Sequence, residues 1–223
     1  MPSKSICQNI KEIRKNVPTS IIILAATKDR TVLEIQDASA AGIMHMGENY
    51  VQETEKKSDT FTKLKKRGLT LHCIGHLQSN KAKKAVELFD VIQTVDSRSL
   101  LQLLGKESNH QQKRLQILIQ INIGNEPQKA GCTKEEIPLF LEEIIKYPNM
   151  EWKGFMCIPP SIDQELYFKQ MKLLKDMYHA EILSMGMTHD YPLAIKYGST
   201  MIRIGEGIFG RRQLAKVKID KNK

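Results

Sequence analysis

Eight short apolar segments, each but the last followed by a stretch of helical spacing, run the length of this chain, and this alternation constrains the fold more than any other feature. The apolar segments are Ile21 to Ala26, Ile43 to Met46, Leu69 to Ile74, Val91 to Val95, Leu115 to Ile123, Trp152 to Ile158, Ile182 to Met185 and Met201 to Ile204. Short, β-branched-rich runs of this kind suit strands buried on both faces. Helical spacing covers Thr31 to Ala41, Asn49 to Arg67, Asn80 to Leu88, Ser99 to Asn109, Thr133 to Lys146, Ile162 to His179 and His189 to Tyr197, with a further helix at Ser5 to Lys15. The Thr133 segment opens on Thr133-Lys134-Glu135-Glu136, the spacing of a capping box. Strands alternating with helices build parallel sheets. Eight units in one chain point to an α/β protein, a single-domain (β/α)8 TIM barrel with an extra N-terminal helix, over residues 1–217, with a basic tail at 218–223. A doubly wound open sheet is the alternative that the pattern alone leaves.

Composition narrows the partners. An apolar fraction of 41% supports a substantial core, and no apolar run approaches the length of a membrane span. The first ten residues contain no apolar signal region, so a cytoplasmic location is expected. Cys7, Cys73, Cys132 and Cys157 are scattered and form no C-x-x-C pair, which suits reduced thiols rather than a disulfide frame or a zinc site. His72 and His76 flank a strand end and do not share a helical face, so they make a poor metal pair. His76 is placed to line a barrel mouth, and His45 reads as a packed or surface histidine. The net charge of +9 raises nucleic acid as a partner. Its carriers, however, are short groups (Lys56-Lys57, Lys63 to Arg67, Lys81 to Lys84, Lys216 to Lys223) without interleaved aromatics. They read as solvated helix faces and a soluble tail.

In a barrel, chemistry gathers at the C-terminal ends of the strands. The first strand runs into Thr27-Lys28-Asp29. A lysine at such a mouth is partly desolvated, which favours the neutral, nucleophilic amine and Schiff-base chemistry. The last strand runs into Gly205-Glu206-Gly207-Ile208-Phe209-Gly210, a match to G-x-G-x-x-G. Too little chain follows for a dinucleotide-binding unit with its acidic ribose partner about 20 residues on. In a barrel this loop and the one after the seventh strand, Ser184 to Thr188, instead occupy the usual phosphate position. A phosphate on one side and an amine on the other suggest pyridoxal 5′-phosphate.

At these residues the chain resembles the YggS/PROSC family of pyridoxal phosphate-binding homeostasis proteins. The resemblance is carried by Gly47-Glu48-Asn49-Tyr50-Val51-Gln52-Glu53, Ile74-Gly75-His76-Leu77-Gln78-Ser79-Asn80-Lys81, Gly154-Phe155-Met156-Cys157-Ile158-Pro159-Pro160, Leu183-Ser184-Met185-Gly186-Met187, and Gly198 through Arg211. It spans nearly the whole chain. It implies a barrel like that of alanine racemase, a Schiff base on Lys28, Arg203 toward the pyridine nitrogen, and Asn49 near the ring. It further implies Ser184, Met185, Gly186, Gly205 and Gly207 in the cofactor and phosphate region. Thr188 stands where serine is usual, and Leu71-His72-Cys73 replaces a more aromatic Trp-His-Phe. An arginine cannot release its proton and so disfavours a protonated ring, which makes the cofactor a weaker electron sink. In alanine racemase a tyrosine from a second domain supplies an opposed base, and this sequence leaves no room for one. The resemblance therefore implies a monomeric, non-catalytic carrier that serves cofactor homeostasis and delivers to pyridoxal phosphate-dependent apoenzymes. The alternatives are a single-domain amino-acid racemase and a barrel enzyme forming a substrate Schiff base on a phosphorylated metabolite.

Overall fold

The computed structural model describes residues 4–211. The expected basic tail at 218–223, and the domain boundary at 217, lie outside the described residues. Eight parallel strands close into a barrel in sequence order. They are β1 (Ile22–Ala26), β2 (His45–Glu48), β3 (Thr70–Cys73), β4 (Val91–Val95), β5 (Leu115–Ile121), β6 (Met150–Cys157), β7 (Ile182–Ser184) and β8 (Met201–Ile204). The helices are α1 (Lys4–Asn16), α2 (Val32–Ala40), α3 (Val51–Lys56), α4 (Ser58–Lys65), α5 (Ala82–Leu88), α6 (Arg98–His110), α7 (Ile137–Ile144), α8 (Gln164–Met177), α9 (Tyr191–Lys196) and α10 (Glu206–Phe209). Among the described residues no helix is long and apolar enough to cross a membrane. The barrel, rather than an open sheet, is set by β1 pairing with β8 in the register Leu24↔Arg203.

Strand alternation divides the buried residues into two compartments. Outward-facing residues such as Ile23, Ala25, Leu71, Ile92, Phe155, Ile202 and Ile204 join one apolar cluster under the helices. Leu24, Val91, Leu118, Met156 and Met201 are equally buried but stand apart from that cluster, on the opposite face of their strands. They share the barrel interior with buried His72, Gln93, Ser184 and Arg203. Each strand is thus covered on both sides, which is why most of them read as short apolar runs.

Three local readings change. The segment at 49–67 is two helices, broken at Lys57, whose backbone (φ −107°) leaves the helical range while its side chain turns inward. Strand β2 lies two residues further on than its apolar signal, and ends on Gly47 and Glu48. A Cβ at Gly47 would come within 2.7 Å of Ile74 and Leu24, so a glycine lets these side chains close over the strand. The capping box at Thr133 is half formed. The Thr133 N–H donates to Glu136 Oε2 at 2.8 Å, yet α7 starts only after Glu136, with a proline in its first turn. Proline is well placed there, because its missing N–H has no helical acceptor. The complete capping box is at Thr31 and Glu34, opening α2.

Gly154 marks an irregularity where β6 slips one residue against β5. Its φ is +144°, and a Cβ there would lie 1.9 Å from the Ile182 carbonyl oxygen of β7. The obstacle is backbone, which cannot rotate aside. Gly154→Ala is expected to destabilise the barrel by about 1–3 kcal/mol. Urea unfolding checks it, and an unchanged midpoint would contradict this close approach of β6 to β7.

Candidate functional site

The end of β1 turns sharply through Thr27, Lys28 and Asp29. Asp29 takes a left-handed backbone (φ 59°), which aspartate tolerates better than most residues. The turn is tied down on both sides of Lys28. The Thr27 N–H donates to the Gly47 carbonyl at 2.8 Å, and Thr27 Oγ1 donates to Glu48 Oε1 at 2.8 Å. The Asp29 N–H donates to Glu53 Oε1 at 2.8 Å. Beneath the turn Lys57 Nζ donates to Thr27 O at 3.3 Å, to Glu48 Oε1 at 3.0 Å and to Glu53 Oε1. Lys57 is therefore a largely buried strut, its side chain 11% exposed, and not part of a solvated helix face. Glu48 is fully buried and its Oε2 has no hydrogen-bond partner among the described residues. Burial raises its carboxyl pKa, with Lys57 and Thr27 acting against that rise.

Above the turn is a pocket of about 430 Å³ lined by Ala26, Lys28, Arg30, His189, Gly205, Glu206, Gly210 and Arg211. Lys28 is half-buried, and its Nζ has no hydrogen-bond or carboxylate partner among the described residues. Gly205 lines the same pocket from the neighbouring strand across the β1–β8 seam; a Cβ there would meet Ala26 at 3.5 Å. Arg30 closes the lip: its Nη2 donates to Gly210 O at 2.6 Å and its guanidinium lies 5.1 Å from the Phe209 ring centre. Arg30, His189 and Arg211 are cationic or polar walls that the sequence reading missed. Arg30 and Arg211 flank the Lys28 turn and the glycine loop in sequence, but only barrel closure brings them together.

The other expected site residues are not among the walls of this pocket. Asn49 follows β2, its backbone packed against Gly75, where a Cβ would fall 2.4 Å from Asn49 O. Met185 and Gly186 continue β7 alongside β8: the Met185 N–H donates to Met201 O at 3.1 Å and the Arg203 N–H to Gly186 O at 2.9 Å. Gly186 needs its missing side chain, having φ +94° and the Ala194 methyl 2.6 Å from a Cβ position. The Gly207 N–H donates to Thr188 Oγ1 at 3.3 Å, which stitches the two candidate phosphate loops together. Asp190 accepts from the Met187 N–H and from Gln164 Nε2, closing the first of these loops.

Ser184 and Arg203 point into the barrel. Arg203 Nη1 donates to both Ser184 O and Ser184 Oγ at 2.8 Å, and Nη2 donates to Cys157 O at 2.9 Å. Ser184 thus spends its hydroxyl on Arg203 and on Gln93, 2.7 Å away. Burial lowers the pKa of Arg203, against the pull of Cys157 and Asp190. Cys157 itself is pushed up to about 12 by burial and is an inert thiol.

His72 is inside the barrel, and His76 is an exposed residue 2.8 Å from Asp96. Burial, then His45, then Lys65 hold the His72 pKa well below the ordinary histidine value, and burial lowers that of His45. Their folded values lie below the unfolded value, so on acidification the unfolded chain takes up protons first. Their contribution to stability is complete above about pH 6.5 and is lost as the pH falls. Glu48 acts with the opposite sign, since a raised carboxyl value favours the fold on protonation. The thermal midpoint of the protein should therefore fall more steeply below about pH 6.5 than that of a His72→Gln variant. Equal slopes would show that His72 does not fold in its neutral form.

The family model for the alanine racemase N-terminal domain matches residues 3–213. The pyridoxal phosphate homeostasis protein of Pasteurella multocida is 39% identical, over 95% of this chain and 100% of its own length. That of Escherichia coli is 33% identical over 95% of this chain and 98% of its own. Among solved structures, PipY of Synechococcus elongatus with PLP bound is similar with a TM-score of 0.81 at 32% identity, covering 92% of this chain and 100% of PipY. Alanine racemase of Corynebacterium glutamicum, at 14% identity and a TM-score of 0.74, shares the fold. The chain, with a lysine in the turn after its first strand and a glycine loop after the eighth, belongs to the pyridoxal phosphate homeostasis protein family.

Proposed function

We propose that this protein binds pyridoxal 5′-phosphate reversibly through Lys28 and serves intracellular cofactor homeostasis and delivery, without being an enzyme. The observation that carries this reading is an amine, Lys28 Nζ, without a partner among the described residues, in a pocket that it lines together with the bare backbone of Gly205. The residues fit the group. About 430 Å³ is within the range of small-molecule sites. Arg30 and Arg211 offer donors suited to a phosphate dianion. When bound, the cofactor supplies an aldehyde that condenses with a primary amine to an imine and water.

The chain's own residues divide the remaining work. The Thr27–Glu48–Lys57–Glu53 network holds the turn that presents Lys28. Arg203, gripped by carbonyls of β6 and β7, is the group assigned to the ring nitrogen, with Ser184 holding it in place. Asn49 is assigned to the ring, Gly205 and Gly207 to the phosphate region, and Met185 and Gly186 to the strand extension that supports them. A guanidinium donates and does not accept, so it favours an unprotonated ring and storage over transformation. The curated relatives are likewise named for homeostasis. The expected recipients are pyridoxal phosphate-dependent apoenzymes, met by a monomer in the cytoplasm. Native mass spectrometry after incubation with pyridoxal phosphate tests the reading: one cofactor per chain is expected, in a yellow protein. A colourless protein that takes up none, or one that robustly turns over an amino acid, would overturn it.

A further inference from the structure

Five side chains from five strands form one unbroken row of hydrogen bonds through the barrel interior. Arg203 Nη1 (β8) donates to Ser184 Oγ (β7) at 2.8 Å, and Ser184 Oγ is 2.7 Å from Gln93 Oε1 (β4). Gln93 Nε2 is 3.0 Å from His72 Nδ1 (β3), and His72 Nε2 is 3.0 Å from His45 Nδ1 (β2). The first four residues are buried, and His45, the first residue of its strand, is half-buried.

The direction of the row is forced from one end. A guanidinium carries only donors, so Ser184 Oγ accepts from Arg203 and its own proton goes on to Gln93. That orients the Gln93 carbonyl toward Ser184 and its amide nitrogen toward His72. Reversing the amide would aim two donors at Ser184 and leave the serine proton buried without an acceptor. It would also turn a carbonyl oxygen, in place of an N–H, toward Met201 Sδ, 3.1 Å away. His72 Nδ1 is consequently an acceptor, and the neutral ring carries its proton on Nε2. That proton is donated to His45 Nδ1, so neutral His45 also carries its proton on Nε2. A second proton on either ring would set two donors face to face. The surroundings agree: Lys65 of α4 is a like charge for His72, and among the described residues no carboxylate pairs with either imidazole.

We propose that Gln93 and His72 are positioning residues for Arg203, acting through Ser184, and that the fixed charge of Arg203 sets the tautomer of both buried imidazoles. The tautomer claim stands on the row alone. The positioning claim also rests on the pyridoxal phosphate reading, because it concerns the residue assigned to the ring nitrogen.

Long-range proton–nitrogen correlation spectra of the full-length, cofactor-free protein with isotope-labelled histidine test the first claim. His45 and His72 are expected to be neutral near pH 7, each protonated at Nε2 alone. A proton on Nδ1 of either ring overturns the direction of the row. Gln93→Leu, which cuts the row at similar volume, tests the second claim. His72 should lose its single tautomer. In protein loaded with pyridoxal phosphate, the cofactor's absorption maximum should shift and its retention through dialysis should fall several-fold. A folded Gln93→Leu protein with unchanged His72 signals and an unchanged cofactor spectrum overturns the positioning role. If the unmutated protein binds no cofactor, the functional reading fails, and the histidine spectra still decide the tautomers.

Discussion

Lys28→Ala is expected to fold normally and to retain no pyridoxyl adduct after borohydride reduction. Lys28 is half-buried and its Nζ makes no bond to another described residue, so its removal should change stability by no more than about 0.5 kcal/mol. Its loss for binding is all or none, because an imine requires a primary amine. Peptide mass spectrometry of the reduced protein should find the adduct on the peptide containing Lys28 and, in the variant, nowhere at stoichiometric level. Weak, dialysable binding should persist, since Arg30 and Arg211 still line the pocket. Lys28→Arg separates charge from nucleophilicity: it keeps the cation and should form no adduct either. A stoichiometric adduct elsewhere in the alanine variant would remove Lys28 from the mechanism.

Lys57→Met should destabilise the fold by about 3–5 kcal/mol, the usual consequence of leaving one member of a buried ion pair behind. The residue left behind is Glu48, fully buried, with one oxygen already lacking a partner among the described residues. Thr27 O loses its donor in the same change, and Glu53 loses the cation that anchors it beside the Asp29 N–H. The turn presenting Lys28 is thereby loosened, so the trapped adduct should diminish along with stability. Because the Glu48 carboxyl is raised by burial, the variant should regain stability on acidification, as protonation removes the stranded charge. Urea unfolding of Lys57→Met and of the Glu48→Gln/Lys57→Met double variant decides the cause. Partial recovery in the double variant is expected, and none would mean that Lys57 acts by packing alone.

The fold was legible wherever apolar residues bound a strand at both ends. Val91–Val95 and Met201–Ile204 occupy the residues that their sequence signals mark, although each carries a buried polar residue within it, Gln93 and Arg203. β2 was misplaced because it ends on a glycine and a carboxylate, residues that no apolar signal includes. Glu48 is tolerated there because Lys57 and Thr27 both reach it, and Lys57 stands at the break in the helix that the sequence presents as continuous. In the site, Lys28 and Gly205 were legible as polar punctuation after short strands. The inward roles of Ser184 and Arg203 were not, because Gln93 and Cys157, their partners, come from strands far away in sequence. Lys57 looked like an ordinary surface charge because a lysine's neighbours cannot be inferred from its own segment.

Joining the first strand to the last also orders events in time. Arg30 and Gly210 meet across 180 residues of chain, and Lys28 and Gly205 line one pocket across the same seam. Contacts so distant in sequence form late, since chain entropy is lost well before the contact is gained. During refolding, cofactor capture should therefore lag behind the recovery of helical signal and mark the moment the ring shuts. A captured ligand would then hold that seam closed by mass action, making the first and last strands the pair most protected by cofactor.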